Sequence, residues 1–212
     1  MKKILITTML LLTLTSFSAI AQFGIKGSLL SPGGDIVPTH KKGTAYEIYY
    51  VQNEWDGLMQ SRVGFFHTTL SPALDTFFVY GVKSEISGVN TLLPGYAVYQ
   101  KLRMNCIFID QSIRIINKKG LALYAGIGIM IGSAKMKYDR YIESMIIETD
   151  GIVNPDIGGL RGNVQAAYKI NSHFQVYMQA MHNAIVASDW SNSYAHNTYG
   201  IGINYFIKSD EE

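Results

Sequence analysis

Apolar and polar side chains alternate with a period of two along much of the second half of the chain. In LALYAGIGIMIG (121–132), every second position from Leu123 to Ile131 is apolar, and two of the four positions between them are glycine. Isoleucines at this spacing, interleaved with glycines, favour a strand over a helix. The same period returns in the segments 163–170, 174–180 and 199–206. These four segments predict an all-β protein.

Eight strands result when the first half of the mature chain is included. They are predicted near 22–31, 43–53, 58–70, 99–116, 121–138, 160–170, 173–184 and 198–207. The links alternate strictly: EWDG, NKKG and NSH are short, and the others are long, at about 32–42, 71–98, 139–159 and 185–197. Short turns therefore lie at one end of the sheet and long loops at the other. That segregation is typical of outer-membrane barrels and has no reason to occur in soluble sandwiches.

Strand length supports the same fold. About ten residues at roughly 3.3 Å each, tilted by about 45°, rise roughly 23 Å, close to the apolar band of about 25 Å in such barrels. Strands of soluble proteins are typically about five or six residues long. The sequence therefore predicts an all-β, eight-stranded antiparallel up-and-down transmembrane β-barrel.

The first residues indicate the compartment. Lys2 and Lys3 precede an apolar run (4–17) that ends in Ala19-Ile20-Ala21, the three parts of a secretory signal peptide. A retained membrane anchor is the alternative, but the run is short for a membrane span. We expect cleavage near Ala21 and localisation to the outer membrane. The predicted organisation is a signal peptide at 1–21, an outer-membrane β-barrel at 22–207 and a polar C-terminal tail at 208–212.

Composition narrows the function classes. Two of the 18 Lys and Arg residues lie in the signal segment, so the mature chain carries 16 basic and 16 acidic side chains. This balance argues against a nucleic-acid partner, which would need a basic stripe. Charged residues make up only 16% of the chain, against about a quarter in typical soluble proteins. The single cysteine, Cys106, excludes an intrachain disulfide.

The strand period also assigns the inside and the outside of the barrel. The outward, lipid-facing set includes Leu123, Ile127, Ile129, Val176, Ile201 and Ile203. The inward set forms a polar network in the lumen that consists of Glu47, Arg62, Asp110, Arg114, Gln165, Lys169, Gln175, Gln179 and Asn204. An eight-stranded barrel is just wide enough for side chains to fill it, and buried charges must be paired. The sequence therefore predicts a plugged lumen in which Asp110 neutralises part of the charge of Arg62 and Arg114.

The chain resembles the small outer-membrane β-barrel family of Gram-negative bacteria, in particular the Bacteroidetes-type outer membrane protein beta-barrel domain. The similarity rests on AIAQFGIKGSLLS at the start of the mature chain, LALYAGIGIMIG after an NKKG turn, and the closing YGIGINYFI. It covers nearly all of residues 22–207. The resemblance implies recognition by the outer-membrane assembly machinery, although here the last strand's Phe206 is followed by Ile207 and a polar tail.

Three function classes remain open. The first is a non-enzymatic structural or interaction barrel whose long extracellular loops meet a protein partner, with outer-membrane lipid around it. The second is an outer-leaflet lipid-modifying enzyme, and the third is a small pore. For the enzyme, the candidates by composition are Ser188, Asp189, Ser191, Ser193 and His196. His182 and His196 both fall near the outer ends of their predicted strands, where either a close pair or, preferably, two separate surface histidines would fit. No nucleophile–base spacing supports the enzyme candidates, and we expect no catalytic constellation, cofactor or metal site.

Overall fold

A computed structural model describes residues 22–36, 39–54, 58–73, 77–84, 91–142, 145–188 and 193–207. Its strands are β1 (Gln22–Pro32), β2 (Gly43–Glu54), β3 (Met59–Leu70), β4 (Phe77–Ser84), β5 (Thr91–Tyr99), β6 (Leu102–Lys118), β7 (Leu121–Ile142), β8 (Met145–Val153), β9 (Asp156–Lys169), β10 (Phe174–Ala187) and β11 (His196–Phe206). A short 3-10 turn occupies Gly34–Ile36. Among the described residues, no helix is long and apolar enough to cross a membrane.

Eight of the strands close into an antiparallel barrel, as predicted. Their order around the wall is β1, β2, β3, β6, β7, β9, β10 and β11. β11 pairs with β1 from Gln22–Phe206 to Pro32–His196, and this pairing closes the ring. The links between β2 and β3, β6 and β7, and β9 and β10 are short and lie at one end, here called the turn end. The opposite end, called the long-loop end, carries the remaining links.

The long-loop end contains more regular structure than the sequence analysis predicted. The segments 71–98 and 139–159 were expected to be loops, but they contain β4, β5, β8 and the upper part of β7. β5 and β8 both pair with β7 beyond the barrel wall, and β4 pairs with β5. An antiparallel extension of the sheet therefore stands above this end of the barrel. The expectation failed because these segments lack the clean alternation of strands that face lipid on one side.

Alternation of exposure along each strand separates the wall from the lumen. In β1, Phe23, Ile25 and Leu29 are exposed, whereas Lys26 and Leu30 are buried. In β7, the isoleucines face outward and the glycines face the lumen. Gly128 lies opposite Asp110 of β6, and a Cβ at this glycine would collide with Asp110 Oδ1. The glycines of LALYAGIGIMIG thus leave room inside the barrel for the polar side chains of neighbouring strands.

The turn between β6 and β7 explains the NKKG sequence. Lys119 and Gly120 form the two-residue connection, and both have positive φ, at 50° and 83°. Positive φ at both central residues is the type I′ geometry, whose twist matches that of a hairpin. Glycine adopts this conformation without steric cost at the second position. The turn fixes the β6–β7 register that places the isoleucine face outward.

Candidate functional site

A chain of five charged side chains crosses the lumen. Lys26 Nζ lies 2.9 Å from Glu47 Oε1, and the same carboxylate oxygen accepts a 2.7 Å hydrogen bond from Arg161 Nη2. Arg161 Nε lies 3.4 Å from Asp110 Oδ1, and Asp110 Oδ2 lies 3.7 Å from Arg62 Nη2. All five side chains are buried. We call this set, which comes from β1, β2, β9, β6 and β3, the charge chain.

Aromatic rings and amides complete the environment of the charge chain. The charge chain contains three cationic and two acidic side chains, so hydrogen bonds and ring faces must accommodate the remaining positive charge. The Arg161 guanidinium lies 4.0 Å from the centroid of the Phe108 ring, and that of Arg62 lies 5.6 Å from the Tyr49 ring. Such contacts are favourable because the ring face is electronegative. Lys26 Nζ also donates a 2.7 Å hydrogen bond to Gln179 Oε1.

Polar side chains fill the lumen between the charge chain and the turn end. Tyr49 Oη donates to Asn204 Oδ1 at 2.7 Å and is also hydrogen-bonded to the Tyr177 hydroxyl. Asn204 Nδ2 in turn donates to Gln175 Oε1 at 2.9 Å. Buried polar groups cost free energy unless they are hydrogen-bonded. These hydrogen bonds therefore offset the cost of burying Tyr49, Asn204 and Gln175 in the interior.

Apolar side chains fill the other half of the lumen, toward the long-loop end. They come from several strands and are fully buried: Leu30, Phe66, Leu70, Leu102, Met104 and Ile185. Phe66 stacks on the buried ring of His196, with centroids 5.6 Å apart. Phe66 shares a strand face with Arg62, although the sequence predicts a polar lumen on that face. The β2–β3 and β3–β6 registers run through Phe66 without a bulge, and apolar side chains surround it together with the buried polar Thr68, Asn183 and His196.

The predicted lumen residues occupy three different positions. Those buried inside the barrel are Glu47, Arg62, Asp110, Gln165, Gln175, Gln179 and Asn204. Arg114 is half-buried at the turn end, where the β6–β7 register shifts between Arg114 and Ile116. Lys169 is exposed, so its assignment to a buried network was wrong. It has the inward phase but is the last residue of β9, where the wall no longer encloses it.

Two members of the charge chain were missed by the sequence analysis. Lys26 is buried between exposed Ile25 and the outward Gly27, and Arg161 lies two residues before the inward Asn163 on the same strand face. Both follow the period that was used elsewhere, so extending that period to the strand ends would have found them. Arg161 replaces Arg114 as the partner that links Asp110 to the rest of the network.

The predicted lipid-facing residues all lie on the outward phase of their strands. Ile127 is 77% exposed, and Ile129, Ile201 and Ile203 are also exposed. Leu123 and Val176 are partly covered by their neighbours on the wall. Isoleucine and leucine side chains that cover a barrel wall in this way form the surface expected against lipid acyl chains. Gln111 interrupts this surface, since it is exposed and paired with Ile127.

The serine and histidine candidates do not assemble into a site among the described residues. His182 is exposed on the outer wall, where Nδ1 lies 2.8 Å from Asn197 Oδ1. His196 is buried on the inner side of the barrel, and its Nδ1 lies 2.9 Å from the carbonyl oxygen of Tyr194. The two histidines therefore do not form a pair, because His182 is opposite Asn197, the residue next to His196, and consecutive residues of a strand face opposite sides. His196 is buried, so only His182 is a surface histidine.

Ser188 and Ser193 flank the segment 189–192, so Asp189 and Ser191 lie outside the described residues. Ser188 is exposed, and its backbone N–H donates to the carbonyl of Asp156. The backbone N–H of Ser193 donates to Asp35 Oδ2 at 2.7 Å. In the ranges that the structure describes, no group of three or more His, Cys, Asp and Glu side chains is placed to hold a metal ion.

A small pocket of about 240 Å³ opens at the long-loop end. Its polar lining includes Asp35, His40, Tyr99, Tyr138, Arg140 and Tyr194. The Arg140 guanidinium lies 5.0 Å from the Tyr138 ring centroid. Burial lowers the pKa of His40 from 6.5, and the backbone of Gln100 opposes this effect more weakly. His40 is therefore a neutral hydrogen-bonding group at neutral pH, with Nδ1 2.8 Å from Thr39 Oγ1.

No protein-family model and no curated protein matches the sequence. Several solved structures are similar in fold. The attachment invasion locus protein Ail of Yersinia pestis gives a TM-score of 0.51 over 89% of this chain and 98% of Ail, with 12% identical residues. Neisserial surface protein A gives a TM-score of 0.52 over 89% of this chain and 99% of its own, with 9% identity. The chain thus has the fold of the small eight-stranded outer-membrane β-barrels.

Proposed function

We propose that this protein is a non-enzymatic barrel of the outer membrane that is closed to solute flow and acts through its long-loop end. In this proposal the chain is secreted, loses its signal peptide near Ala21, and is inserted by the outer-membrane assembly machinery of a Gram-negative cell of the Bacteroidetes type. The turn end faces the periplasm and the long-loop end faces outward. The exposed isoleucines of the wall support this location, because such a surface needs lipid.

The contact between Arg161 and Glu47 is the observation that carries the closed-barrel proposal. Three strands separate β9 from β2 in either direction around the wall, so the two side chains meet across the full width of the barrel. Glu47 and Arg161 are both 1% exposed. A lumen that is bridged by a short ion pair and filled on both sides by buried residues supports a structural or interaction role over a pore.

Conductance in planar bilayers tests the closed lumen. We expect the wild-type protein to give no large, steady current. As a comparison, Arg161→Ala with Phe108→Ala removes two bulky lumen side chains and should raise the frequency of small openings. Large, steady and poorly selective channels from the wild-type protein would overturn the proposal in favour of a pore.

The aromatic surface at the long-loop end supports the interaction role. Tyr96 of β5 stacks on Tyr141 of β7, with centroids 4.8 Å apart and planes inclined by 7°. Tyr99 packs against Tyr138 in an edge-on arrangement at 6.3 Å. Tyrosine is enriched at binding surfaces because it offers a large rigid face and a hydroxyl group. The sheet extension therefore presents a preformed surface beyond the membrane, suited to a protein partner.

Site-specific photocrosslinking on intact cells tests this role. A photoreactive residue at Tyr96 should capture a discrete partner, whereas the same residue at Phe174 of the turn end should capture a different set or none. Identical products at the two sites would count against an outward interaction surface. Release of acyl chains or headgroups from outer-membrane lipid by the purified protein would instead support the lipid-modifying enzyme.

A further inference from the structure

An apolar groove of about 1040 Å³ lies on the outer wall of the barrel, near the long-loop end. Its lining includes Phe65, Ile107, Ile131, Gly158, Leu160 and Val186, which belong to β3, β6, β7, β9 and β10. Phe65, Ile107, Ile131 and Leu160 are all exposed. The groove therefore opens to the surroundings of the barrel and does not lead into the lumen.

Gly158 creates the depth of this groove. It lies between Ile131 of β7 and Val186 of β10 in the two strand pairings, and it has no side chain to fill the space between them. A Cβ at this position would meet Ile131 Cγ2 and the Met130 carbonyl oxygen at 3.6 Å, which is ordinary contact. There is therefore enough space at position 158 for a residue larger than glycine. A larger outward side chain would fill the groove without displacing the wall.

The edge of the groove toward the long-loop end is polar, and basic residues stand beyond it. Asn105, Ser133 and Asp156 border the groove. The next cross-strand pair is Arg103 of β6 with Lys135 of β7, and both side chains are exposed on the outer face. Like charges directly opposite one another on a sheet are destabilising. Asp156 offsets one of the two charges, so the edge keeps a net positive charge that an anion would neutralise.

The apolar groove and the basic edge are arranged in the same order as the acyl chain and the phosphorylated headgroup of a lipid. The groove lies among the exposed isoleucines, where acyl chains are expected, and the Arg103–Lys135 pair lies beyond it toward the long-loop end, where headgroups are expected. A groove of this volume is in the range of ligand sites. Arginine and lysine bind phosphate through charge-assisted hydrogen bonds.

We infer that this surface is a binding site for a phosphorylated lipid of the outer leaflet, with one acyl chain in the groove at Gly158 and a phosphate at Arg103 and Lys135. The inference rests on the proposed function, because it requires the long-loop end to face outward in the outer membrane. It adds a specific ligand class to a surface that otherwise contacts bulk lipid.

Two variants test the two halves of this site. Gly158→Leu fills the groove, and the double variant Arg103→Gln with Lys135→Gln removes the charge. Gly162→Leu is the matched control for the first, since it adds the same side chain to an outward glycine of β9 where a Cβ would meet nothing within 4 Å. Lys118→Gln with Lys119→Gln at the turn end is the control for the second. Heat-modifiable migration verifies that each protein is folded.

The probe is a bis-phosphorylated, multiply acylated glycolipid, compared with its dephosphorylated form by native mass spectrometry of the full-length protein from micelles. We expect the wild-type protein and both controls to retain the phosphorylated lipid. Each site variant should reduce its retention by roughly tenfold or more, as the loss of charge-assisted contacts implies. The charge variant lies on the surface, so it tests the site even where Gly158→Leu does not fold.

Equal retention of the phosphorylated and dephosphorylated lipids would overturn the inference, as would unchanged binding in the charge variant or equal loss in the Gly162→Leu control. Protease protection in proteoliposomes separates this failure from failure of the proposed function. A wild-type protein that inserts but shows no selective lipid retention refutes the lipid site alone. A wild-type protein that does not insert refutes both.

Discussion

Arg161 and Glu47 meet across the barrel at 2.7 Å, although they lie on opposite walls. Lys26 approaches the same carboxylate oxygen at 2.9 Å, so a single acid serves two cations. Asp110, by contrast, lies 3.4 Å and 3.7 Å from its two arginine partners, beyond the usual hydrogen-bond distance. The two buried acids therefore differ in how tightly they are held, and this difference can be measured.

We predict that Glu47→Ala destabilises the barrel more than Asp110→Ala. Removing one partner of a buried ion pair costs about 3–5 kcal/mol, because the remaining charge is left uncompensated. Glu47→Ala should reach this range, and Asp110→Ala should fall at or below its lower limit. Urea unfolding in detergent micelles, followed by tryptophan fluorescence, gives both values. Asp156→Ala, at an exposed acid, is the control and should change stability by less than about 0.5 kcal/mol. A larger loss for Asp110→Ala than for Glu47→Ala would refute this ranking.

A second prediction concerns the depth of the wall in the membrane. Ile127→Arg should cost about 2–4 kcal/mol in a bilayer, because this residue lies near the middle of the apolar face of β7. Leu121→Arg, at the turn-end limit of the same strand, should cost about 0–1 kcal/mol. Refolding titrations into lipid vesicles compare the two. Equal free-energy costs for the two variants would mean that Ile127 does not lie near the middle of the bilayer.

Spin labels at Ile127 and Ile129 give an independent check of the same surface. Oxygen, which dissolves in lipid, should broaden or relax their signals, whereas a water-soluble nickel complex should not. Accessibility to the nickel complex alone would invert the assignment of inside and outside.

The third prediction concerns pH at the long-loop end. The pKa of His40 is lowered by burial, so the folded state binds a proton less readily than the unfolded state does. Stability contributed by this region is therefore complete above about pH 6.5 and decreases as the pH falls below that value toward the folded pKa. Hydrogen exchange of residues 33–36 and 39–42 should accelerate between pH 7.5 and pH 5, after correction for the intrinsic rate. His40→Gln should abolish this dependence, and an unchanged profile in that variant would contradict the role of His40.

The fourth prediction concerns the start of the mature protein. Gln22 is the first residue of β1 and pairs with Phe206 of β11 at the turn end. We expect signal-peptide cleavage after Ala21, which would leave this pairing intact and add no residues before it. Intact-mass spectrometry of the protein from outer-membrane fractions measures the N-terminus directly. A mass that includes residues 1–21, or recovery in a soluble periplasmic fraction without detergent, would refute the prediction.

The eight-stranded barrel was predictable because a wall between lipid and a packed interior imposes a strict period of two. Ile127 and Asp110 lie on opposite faces for that reason alone. The pairing of Arg161 with Glu47 was not predictable from the period, since it joins strands that are not neighbours in the sheet. The strands of the long-loop end were missed because they lie beyond lipid and lack the same alternation. Lys169 was misassigned because the alternation of side chains along a strand does not show at which residue the barrel stops enclosing the lumen.

The seam between β1 and β11 has a consequence for assembly. The first and the last strand of the barrel are each other's partners, so until both are in place the growing sheet has two unpaired edges. Exposed edges readily recruit other chains, and contacts between distant parts of a sequence form slowly. A truncated chain that lacks β11 should therefore be prone to self-association through its unpaired strand edges. For this protein, pairing of β11 with β1 is the step that removes both exposed edges and with them the risk of aggregation.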